Sequence, residues 1–480
     1  MNAQIKTILD KFEQISRIPR RSKHEEKISR WIQDWAADRG FGLRKDGAGN
    51  LCIAVEPTAG FENAPAVIVQ GHMDMVCEKT EDSTHDFSRD PIRFVYDGDW
   101  LTADRTSLGA DNGIALTLAM ALVEDESVSH PPLELLFTVD EESGLTGATK
   151  LDAGIFNGRL LLNIDSEEEG VFTAGCAGGR DVRVHLTLET EPCPADHRLH
   201  EVIVRGLCGG HSGVDIHKQR ASANRLVARA LLQALACSAV RLASMKGGSV
   251  HNAIARDAVA RIACPPEDVS KLADRIETFT KVLQQEFAAT DPAVTLVFQP
   301  PREAAVAGSV LTPEDTRRVA RLLMALPHGV SGMCTDQASV VETSNNLATV
   351  ELAGNSLKIL SSQRSSVTSR LEEITSRVES IASLAGARTT ETNSYPAWQP
   401  DMASPLLSRC CQVYQDLFNK SPRVQTIHAG LECGIIGAKK QGMQMISFGP
   451  TIENPHSPDE RLYIPSVGKV WEFLVALLKT

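Results

Sequence analysis

The stretch AVIVQGHMD, residues 66 to 74, is the part of this chain that says most about its fold. It follows a proline, and its run of β-branched residues predicts a buried strand of the kind found in parallel sheets. If the chain stays extended to the end of this stretch, a period of two places His72 and Asp74 on the same face. Such a pair can supply a metal ligand and the carboxylate that orients it, and it can also be the polar end of an ordinary strand.

Acidic residues follow other apolar runs in the same way. A strand-like run that ends at Val139 is followed by three acids at 140–142, and another that ends at Ile164 is followed by Asp165. An apolar helix pattern begins just after Asp111. Taken singly, an acidic turn can be solvated and an aspartate can simply cap a helix. Together they match the rule that open α/β sheets bind ligands at the carboxyl ends of their strands.

A series of longer motifs extends over nearly the whole chain. They are GHMDMV (71–76), GADNGIAL (109–116), DEESGLTGA (140–148), NID (163–165), GGHSGVDIH (209–217), HNAIARDA (251–258), LPHGV (326–330), VETSNNL (341–347), QRSSV (363–367), HAGLECG (428–434) and FGPTIENPHSPDER (448–461). In this order they resemble the motifs of the dinuclear zinc metallopeptidases that include aminoacylase and the cytosolic dipeptidases. The combination is far more specific than any one motif.

This resemblance implies a two-metal site. Asp111 would bridge two divalent metal ions, with His72 and Asp165 completing one site and Glu142 and His456 the other. Zinc is the metal that the family uses, and mixed imidazole and carboxylate ligands also suit manganese or cobalt.

The resemblance also assigns the two remaining acids of the motifs. Asp74 matches the residue that holds the first histidine, and Glu141 matches the general base. The implied reaction is attack of a metal-bridged hydroxide on a peptide carbonyl, with Glu141 taking and then returning the proton. The family further implies a cis peptide bond between Asp111 and Asn112.

Three residues outside the metal motifs match substrate-binding positions of the family. His211 corresponds to the histidine that polarises the scissile carbonyl, in many dimers from the partner subunit, and Asn252 to an asparagine that contacts substrate. Arg364 corresponds to the residue that receives the free carboxylate of the substrate, a role that suits a planar bidentate donor. His428 is interpreted as a residue of the pocket or its surroundings, because His456 already fills the metal position.

The predicted fold is α/β, with a doubly wound, mostly parallel catalytic sheet interrupted by an α+β domain that resembles the family's lid. Residues 1–178 and 393–480 are predicted to form the catalytic domain, and residues 179–392 the lid domain. A chain of 480 residues is too long for one ordinary core, which agrees with this division.

Composition limits the possible partners and location. A net charge of −12 argues against nucleic acid or an anionic membrane as the main partner. The eleven cysteines lack CxxC spacing, and the polar N-terminal pattern lacks the apolar core of a secretion signal, so a cytoplasmic enzyme with reduced thiols is expected.

The resemblance implies metal-dependent hydrolysis of unblocked dipeptides, especially those ending in histidine, with β-alanyl-histidine as a further candidate substrate. A small peptide is the expected substrate, and a homodimer is the expected assembly. A related aminoacylase, tripeptidase or carboxypeptidase would use the same metal ligands with a different lid. A catalytically silent binding protein is the alternative from another class, and the intact set of ligands weighs against it.

Overall fold

A computed structural model describes residues 3–301, 308–335 and 340–479. The helices are α1 (Ala3–Ser16), α2 (Glu26–Asp38), α3 (Ala110–Glu124), α4 (Thr146–Lys150), α5 (Ala223–Leu235), α6 (Val269–Glu286), α7 (Pro313–Ala325), α8 (Thr368–Leu384), α9 (Pro405–Phe418), α10 (Glu432–Lys439) and α11 (Ile464–Leu478). The strands are β1 (Gly42–Lys45), β2 (Leu51–Val55), β3 (Val67–His72), β4 (Phe94–Asp97), β5 (Trp100–Ala103), β6 (Leu133–Thr138), β7 (Leu160–Asn163), β8 (Val171–Cys176), β9 (Gly178–Thr187), β10 (Thr190–Pro192), β11 (Arg198–Arg205), β12 (Arg241–Gly247), β13 (Ala258–Cys264), β14 (Thr295–Gln299), β15 (Ser309–Leu311), β16 (Gly329–Met333), β17 (Val341–Ala353), β18 (Ser356–Ser365), β19 (Arg388–Tyr395), β20 (Arg423–Ile427), β21 (Gln444–Ser447), β22 (Ile452–Glu453) and β23 (Arg461–Tyr463).

The chain divides into two compact units. The first unit comprises Met1–Cys176, Pro400–Thr426 and Leu431–Thr480. The second unit comprises Ala177–Gln399 and Ile427–Gly430. The first unit therefore draws on both ends of the chain, and the second is formed almost wholly by the segment between them.

An eight-stranded sheet with the order β1-β2-β6-β3-β7-β21-β8-β20 forms the centre of the first unit. Its inner strands β6, β3, β7 and β21 are parallel, whereas the β1–β2, β2–β6 and β21–β8 pairs are antiparallel. The predicted α/β class is confirmed, with a sheet that is mixed at its flanks. One flank is antiparallel because the carboxylate of Asp46 accepts the backbone N–H groups of Ala48, Gly49 and Asn50, which closes a short turn between β1 and β2.

Both faces of the central strands are buried. In β3, Val67 and Val69 belong to the hydrophobic core that also contains residues of α1, α2, α3 and α11. Ile68 points to the opposite face and is fully buried as well. Continuous burial of this kind is typical of a parallel strand between two covering layers, as the run at residues 66–72 predicts.

Helix α2 is amphipathic. Its Ile28, Ile32 and Trp35 are buried in the same core, and Trp31 packs against that core while partly exposed. The i, i+3, i+4, i+7 spacing of these four residues therefore marks a face that packs against the core.

The second unit contains a nine-stranded antiparallel sheet. Eight strands follow the order β14-β11-β13-β12-β17-β18-β9-β19, and the ninth, β16, pairs with β17. Residues of α5, α6, α7 and α8 share one hydrophobic core with this sheet. The hydroxyl of Thr312 accepts the backbone N–H of Asp315, and Pro313 occupies the first turn of α7, so this helix begins with an N-cap and a proline.

In the described part of the chain, no helix is both long enough and apolar enough to cross a membrane. All eleven cysteines are free thiols. Cys433 is fully buried, and burial raises the pKa of its thiol well above the ordinary value, which agrees with a packing role.

Candidate metal centre

The candidate ligands come from segments that end near one edge of the parallel sheet. His72 is the last residue of β3, and Asp165 follows β7. Glu141 and Glu142 follow β6, which is the other parallel neighbour of β3. Because the carboxyl ends of parallel neighbours lie at one edge, the strand order brings these side chains close together.

The other two candidate ligands come from different elements of the same unit. Asp111 lies at the start of α3, where its backbone and that of Asn112 are not yet helical, and the peptide bond between them is cis, as the family resemblance implies. His456 lies between β22 and β23 and has a positive φ of 60°, a backbone conformation that few non-glycine residues adopt.

The side chains form two triads that share Asp111. His72 Nε2 lies 3.1 Å from Asp111 Oδ1 and 3.5 Å from Asp165 Oδ1. His456 Nε2 lies 2.9 Å from Asp111 Oδ2 and 3.0 Å from Glu142 Oε2. Within each triad the donor atoms lie within 4.8 Å of one another. The two oxygens of Asp111 thus face the two histidines separately, an arrangement in which one carboxylate can serve two ions.

Asp74 holds both His72 and the acidic turn after β6. Its Oδ1 lies 3.2 Å from His72 Nδ1, so the other ring nitrogen points toward Asp111. The same carboxylate accepts the backbone N–H groups of Glu141 and Glu142 at 3.0 and 3.2 Å. Burial raises the pKa of Asp74, but the hydrogen bond and charge of His72 outweigh it and hold the pKa below its usual value. Asp74 is therefore placed to orient an imidazole ligand.

Burial is the largest influence on the pKa of the carboxyl groups in this cluster. It raises the pKa of Glu142 to about 7, and the charge of Asp111 adds to this shift. It also raises the pKa of Asp165. For Asp111, hydrogen bonds from His456 and His72 outweigh burial and keep the pKa below its usual range. So many buried carboxyl groups require positive charge among them.

The donor set fits divalent cations. Carboxylate oxygens and imidazole nitrogens are ligands of zinc, and manganese or cobalt accept the same set. Oε1 of Glu142 is buried and has no hydrogen-bond partner among the described residues, although Oε2 of the same group faces His456. A coordinating cation would give this buried oxygen a partner.

Comparison with known proteins identifies the family. Residues 68–480 match the model of peptidase family M20/M25/M40. This chain belongs to that family. It is therefore a metallopeptidase, a hydrolase that acts on peptide bonds.

Individual relatives of this M20 peptidase cover almost its whole length. It is 41% identical over 470 residues to the cytosol non-specific dipeptidase of Escherichia coli (strain K12), which covers 98% of this chain and 96% of that protein. Its fold matches the crystal structure of aminoacylhistidine dipeptidase from Vibrio alginolyticus with a TM-score of 0.88 at 39% identity, over 98% of this chain and 96% of the other. Aminopeptidase PepT from Bacillus cereus has a TM-score of 0.56 at 14% identity and shows the shared fold.

Two buried charged residues that sequence reasoning missed hold the segments of the centre. The carboxylate of Glu460 accepts the backbone N–H groups of residues 108–111 at 2.8 to 3.3 Å. The guanidinium of Arg20 donates to the backbone oxygens of Met73, at 3.2 Å, and Asp74, at 2.8 Å, and also to that of Gly109. Glu460 lies in the quoted FGPTIENPHSPDER motif, which could have indicated it, whereas no local pattern distinguishes Arg20.

The three candidate substrate residues all lie in the second unit. His211 Nδ1 accepts the backbone N–H groups of Gly213 and Val214 at 3.2 and 3.0 Å. Burial, followed by the charge of Arg364, lowers the pKa of His211 to about 4. The ring is therefore neutral near pH 7 and carries its proton on Nε2, which makes that nitrogen a donor.

Arg364 and Asn252 differ in how firmly they are held. Arg364 is buried on β18, and its Nη1 donates to the phenol oxygen of Tyr395 at 2.8 Å. Asn252 is half-buried in the loop between β12 and β13, and its backbone oxygen accepts the N–H of Ser212 at 2.7 Å. The loop of Asn252 is thus tied to the loop of His211 by the backbone.

His428 and Glu432, although close in sequence, belong to different units. His428 is buried in the second unit, where its Nε2 lies 2.7 Å from the hydroxyl of Ser344. Glu432 begins α10 in the first unit, where it is fully buried and accepts hydrogen bonds from Gln70 and Thr138. Neither residue belongs to the two triads.

Proposed function

We propose that this M20 peptidase is a two-metal dipeptidase that hydrolyses unblocked dipeptides, preferentially those with a C-terminal histidine. The pair of triads that shares Asp111 is the observation that carries the proposal. The substrate class is supported by the Escherichia coli relative, named a non-specific dipeptidase, and by the Vibrio alginolyticus structure, named an aminoacylhistidine dipeptidase. Dipeptides of the β-alanyl-histidine type fall within the same class.

In this proposal His72, Asp165 and Asp111 would hold one divalent ion, and Asp111, Glu142 and His456 the other, with zinc as the first choice and manganese or cobalt as alternatives. When bound, the two ions supply Lewis acidity toward the scissile carbonyl and make a neighbouring water more acidic.

Glu141 is the residue that moves the proton. Its carboxyl group lies in a donor set with His72 and Glu142, and the hydrogen bond from its backbone N–H to Asp74 fixes its place in the turn. As a carboxylate it takes a proton from the attacking water while the new C–O bond forms. It then gives the proton to the nitrogen of the leaving amine as the C–N bond breaks.

The second unit supplies groups for the substrate. His211, neutral and protonated on Nε2, can donate to an oxygen that gains negative charge during the reaction. Arg364 presents a guanidinium suited to the free carboxylate of a dipeptide, and Asn252 offers an amide from its loop. An enzyme that reads a free carboxylate in this way favours short unblocked peptides over longer chains.

We further infer that the protein works in the cytoplasm as a homodimer. Its E. coli relative is named for the cytosol, and free thiols suit a reducing compartment. Equilibrium sedimentation over a range of concentrations tests the dimer, and a monomer at all concentrations would contradict it.

The function is tested by histidine release from Ala-His. Zinc-reconstituted protein and the same protein stripped with a chelator are assayed side by side, together with N-acetylated Ala-His and a tripeptide. Release from Ala-His that requires metal and exceeds the other two activities supports the dipeptidase. Faster cleavage of the N-acyl compound would favour an aminoacylase, faster cleavage of the tripeptide a tripeptidase, and no cleavage of any substrate a binding protein.

A further inference from the structure

A series of hydrogen-bonded, buried polar side chains extends across three neighbouring strands, close to the residues of the candidate metal centre. Asn163 Nδ2 on β7 donates to Gln70 Oε1 on β3 at 2.6 Å, and Gln70 Nε2 donates to Glu432 Oε2 at 2.6 Å. Thr138 Oγ1 on β6 donates to the same oxygen of Glu432 at 2.6 Å. All four residues are at most 1% exposed. We refer to Asn163, Gln70, Glu432 and Thr138 as the polar bridge.

The polar bridge lies directly upstream of the candidate site residues. Gln70 precedes His72 by two positions, and Asn163 precedes Asp165 by two positions. Thr138 is the last residue of β6, just before the turn that carries Glu141. Since β6, β3 and β7 are adjacent and parallel, the polar bridge connects the three strands that deliver the acids and the first histidine.

The burial of the polar bridge needs an explanation, because apolar side chains would fill the same space at a lower cost in free energy. Oε1 of Glu432 is buried and has no hydrogen-bond partner in the part of the chain that the structure describes. Glu432 is also close enough to the centre to interact with its charges. Burial raises the pKa of Glu432 to about 7, and the charge of His72 opposes that rise. The pKa of Glu141 is raised mainly by burial, and the charge of Glu432 adds to that rise. Buried polar networks of this kind fix one arrangement of the elements that they join.

We propose that Glu432 is a positioning residue of the metal centre. Its hydrogen bonds to Gln70 and Thr138, extended to β7 by the hydrogen bond between Asn163 and Gln70, hold the ends of β3, β6 and β7 in the register that the ligands require. This inference rests on the proposed two-metal function. Glu432 acts through the strands and is not assigned to substrate or metal.

The test compares Glu432→Leu with Glu432→Gln. Leucine keeps the bulk of the side chain but cannot accept hydrogen bonds, so the dissociation constant for zinc, measured by chelator competition, should rise about 10- to 100-fold. Glutamine keeps an acceptor oxygen for both donors and should restore the dissociation constant to within about threefold of the wild-type value. The visible absorption of the cobalt-substituted proteins should follow the same order, because it reports ligand geometry.

Glu134 provides a matched control for the loss of a buried acid. Like Glu432, Glu134 is buried and hydrogen-bonded. It lies on β6 at the end of the strand away from Thr138, where it accepts the backbone N–H groups of Asn157 and Gly158. Glu134→Leu should lower the melting temperature without changing the zinc dissociation constant or the cobalt spectrum. If Glu432→Leu behaves like this control, the positioning role is wrong.

A smaller change keeps the test decisive if Glu432→Leu does not fold. Thr138→Val removes one hydrogen bond to Glu432 at nearly constant volume and should raise the zinc dissociation constant a few fold, whereas Thr138→Ser should not. The proposal would be overturned if all variants bound zinc equally. It would also be overturned if Glu432→Gln raised the zinc dissociation constant as much as Glu432→Leu. A wild-type protein that binds zinc but cleaves no dipeptide would overturn the proposed function alone, since the zinc constants still decide the role of Glu432.

Discussion

The candidate residues of the two units are held in different ways. In the first unit, His72, Asp165 and the acidic turn are placed by the ends of adjacent parallel strands, and buried groups such as Asp74 fix their orientation. In the second unit, His211 and Asn252 lie in loops, and only Arg364 lies on a strand. From this difference we expect a division of labour, in which the first unit carries the metal ligands and the general base, and Arg364 of the second unit sets substrate affinity.

The largest effect is expected for Glu141→Gln. Loss of the general base should lower kcat by about 10²- to 10⁴-fold, because a glutamine amide cannot accept the proton from water. The metal content, measured by atomic absorption, should stay at the wild-type level, since Glu141 is not a proposed ligand. The neighbouring change Glu142→Gln is the control and should reduce metal content instead. A Glu141→Gln enzyme with wild-type kcat would remove Glu141 from the mechanism.

The second largest effect is expected for Asp74→Ala. Asp74→Ala removes the acceptor for His72 Nδ1 and for two backbone N–H groups of the acidic turn, so metal affinity and kcat should each fall about 10- to 100-fold. Titration with zinc and steady-state kinetics measure the two quantities. Ser22→Ala, which removes a single hydrogen bond to Asp74, should change both far less. Equal effects of the two substitutions would show that the orientation of His72 does not depend on the carboxylate.

The same contrast explains how much the sequence could predict. Runs such as residues 66–72 indicate their own strand, and period two then places His72 and Asp74 on one face, so the fold of the first unit and the convergence of its acids follow from local patterns. Arg20 and Glu460 could not be found in this way, because their partners lie 53 to 89 and 349 to 352 positions away in the chain. The hydrogen bonds of Glu432 to β3 and β6 are likewise long-range. Local periodicity carries no information about such contacts.

Family motifs supplied what periodicity could not. The split of the two-metal ligands, with His456 far along the chain, was implied by the resemblance, and the structure places His456 Nε2 2.9 Å from Asp111 Oδ2. The roles of His211, Asn252 and Arg364 rest on the same resemblance and stay predictions. The loops of His211 and Asn252 are positioned by tertiary contacts, such as the one between Ser212 and Asn252, that no single segment specifies.

Arg364→Ala tests the binding half of the division. Loss of a charged, bidentate donor should raise KM for Ala-His by about 10- to 100-fold, the equivalent of roughly 1.5 to 3 kcal/mol, and should change kcat much less. The KM for the C-terminally amidated dipeptide, which has no carboxylate, should change little. Arg261→Ala, at a partly exposed ion pair on β13, is the control and should leave both KM values unchanged. The same rise in KM for both substrates would reject carboxylate binding by Arg364.

The smallest effect is expected for Tyr395→Phe, which removes only the phenol oxygen that accepts from Arg364 Nη1. The guanidinium keeps its charge but loses a hydrogen bond that orients it. KM for Ala-His should therefore rise about two- to tenfold, in line with roughly 0.5 to 1.5 kcal/mol for one hydrogen bond. In the Arg364→Ala background the same change should add nothing, because the partner is already absent. Steady-state kinetics on the two single variants and the double variant measure this coupling. Additive effects would mean that Tyr395 acts on the substrate independently of Arg364, and the second unit would then hold two separate determinants of affinity.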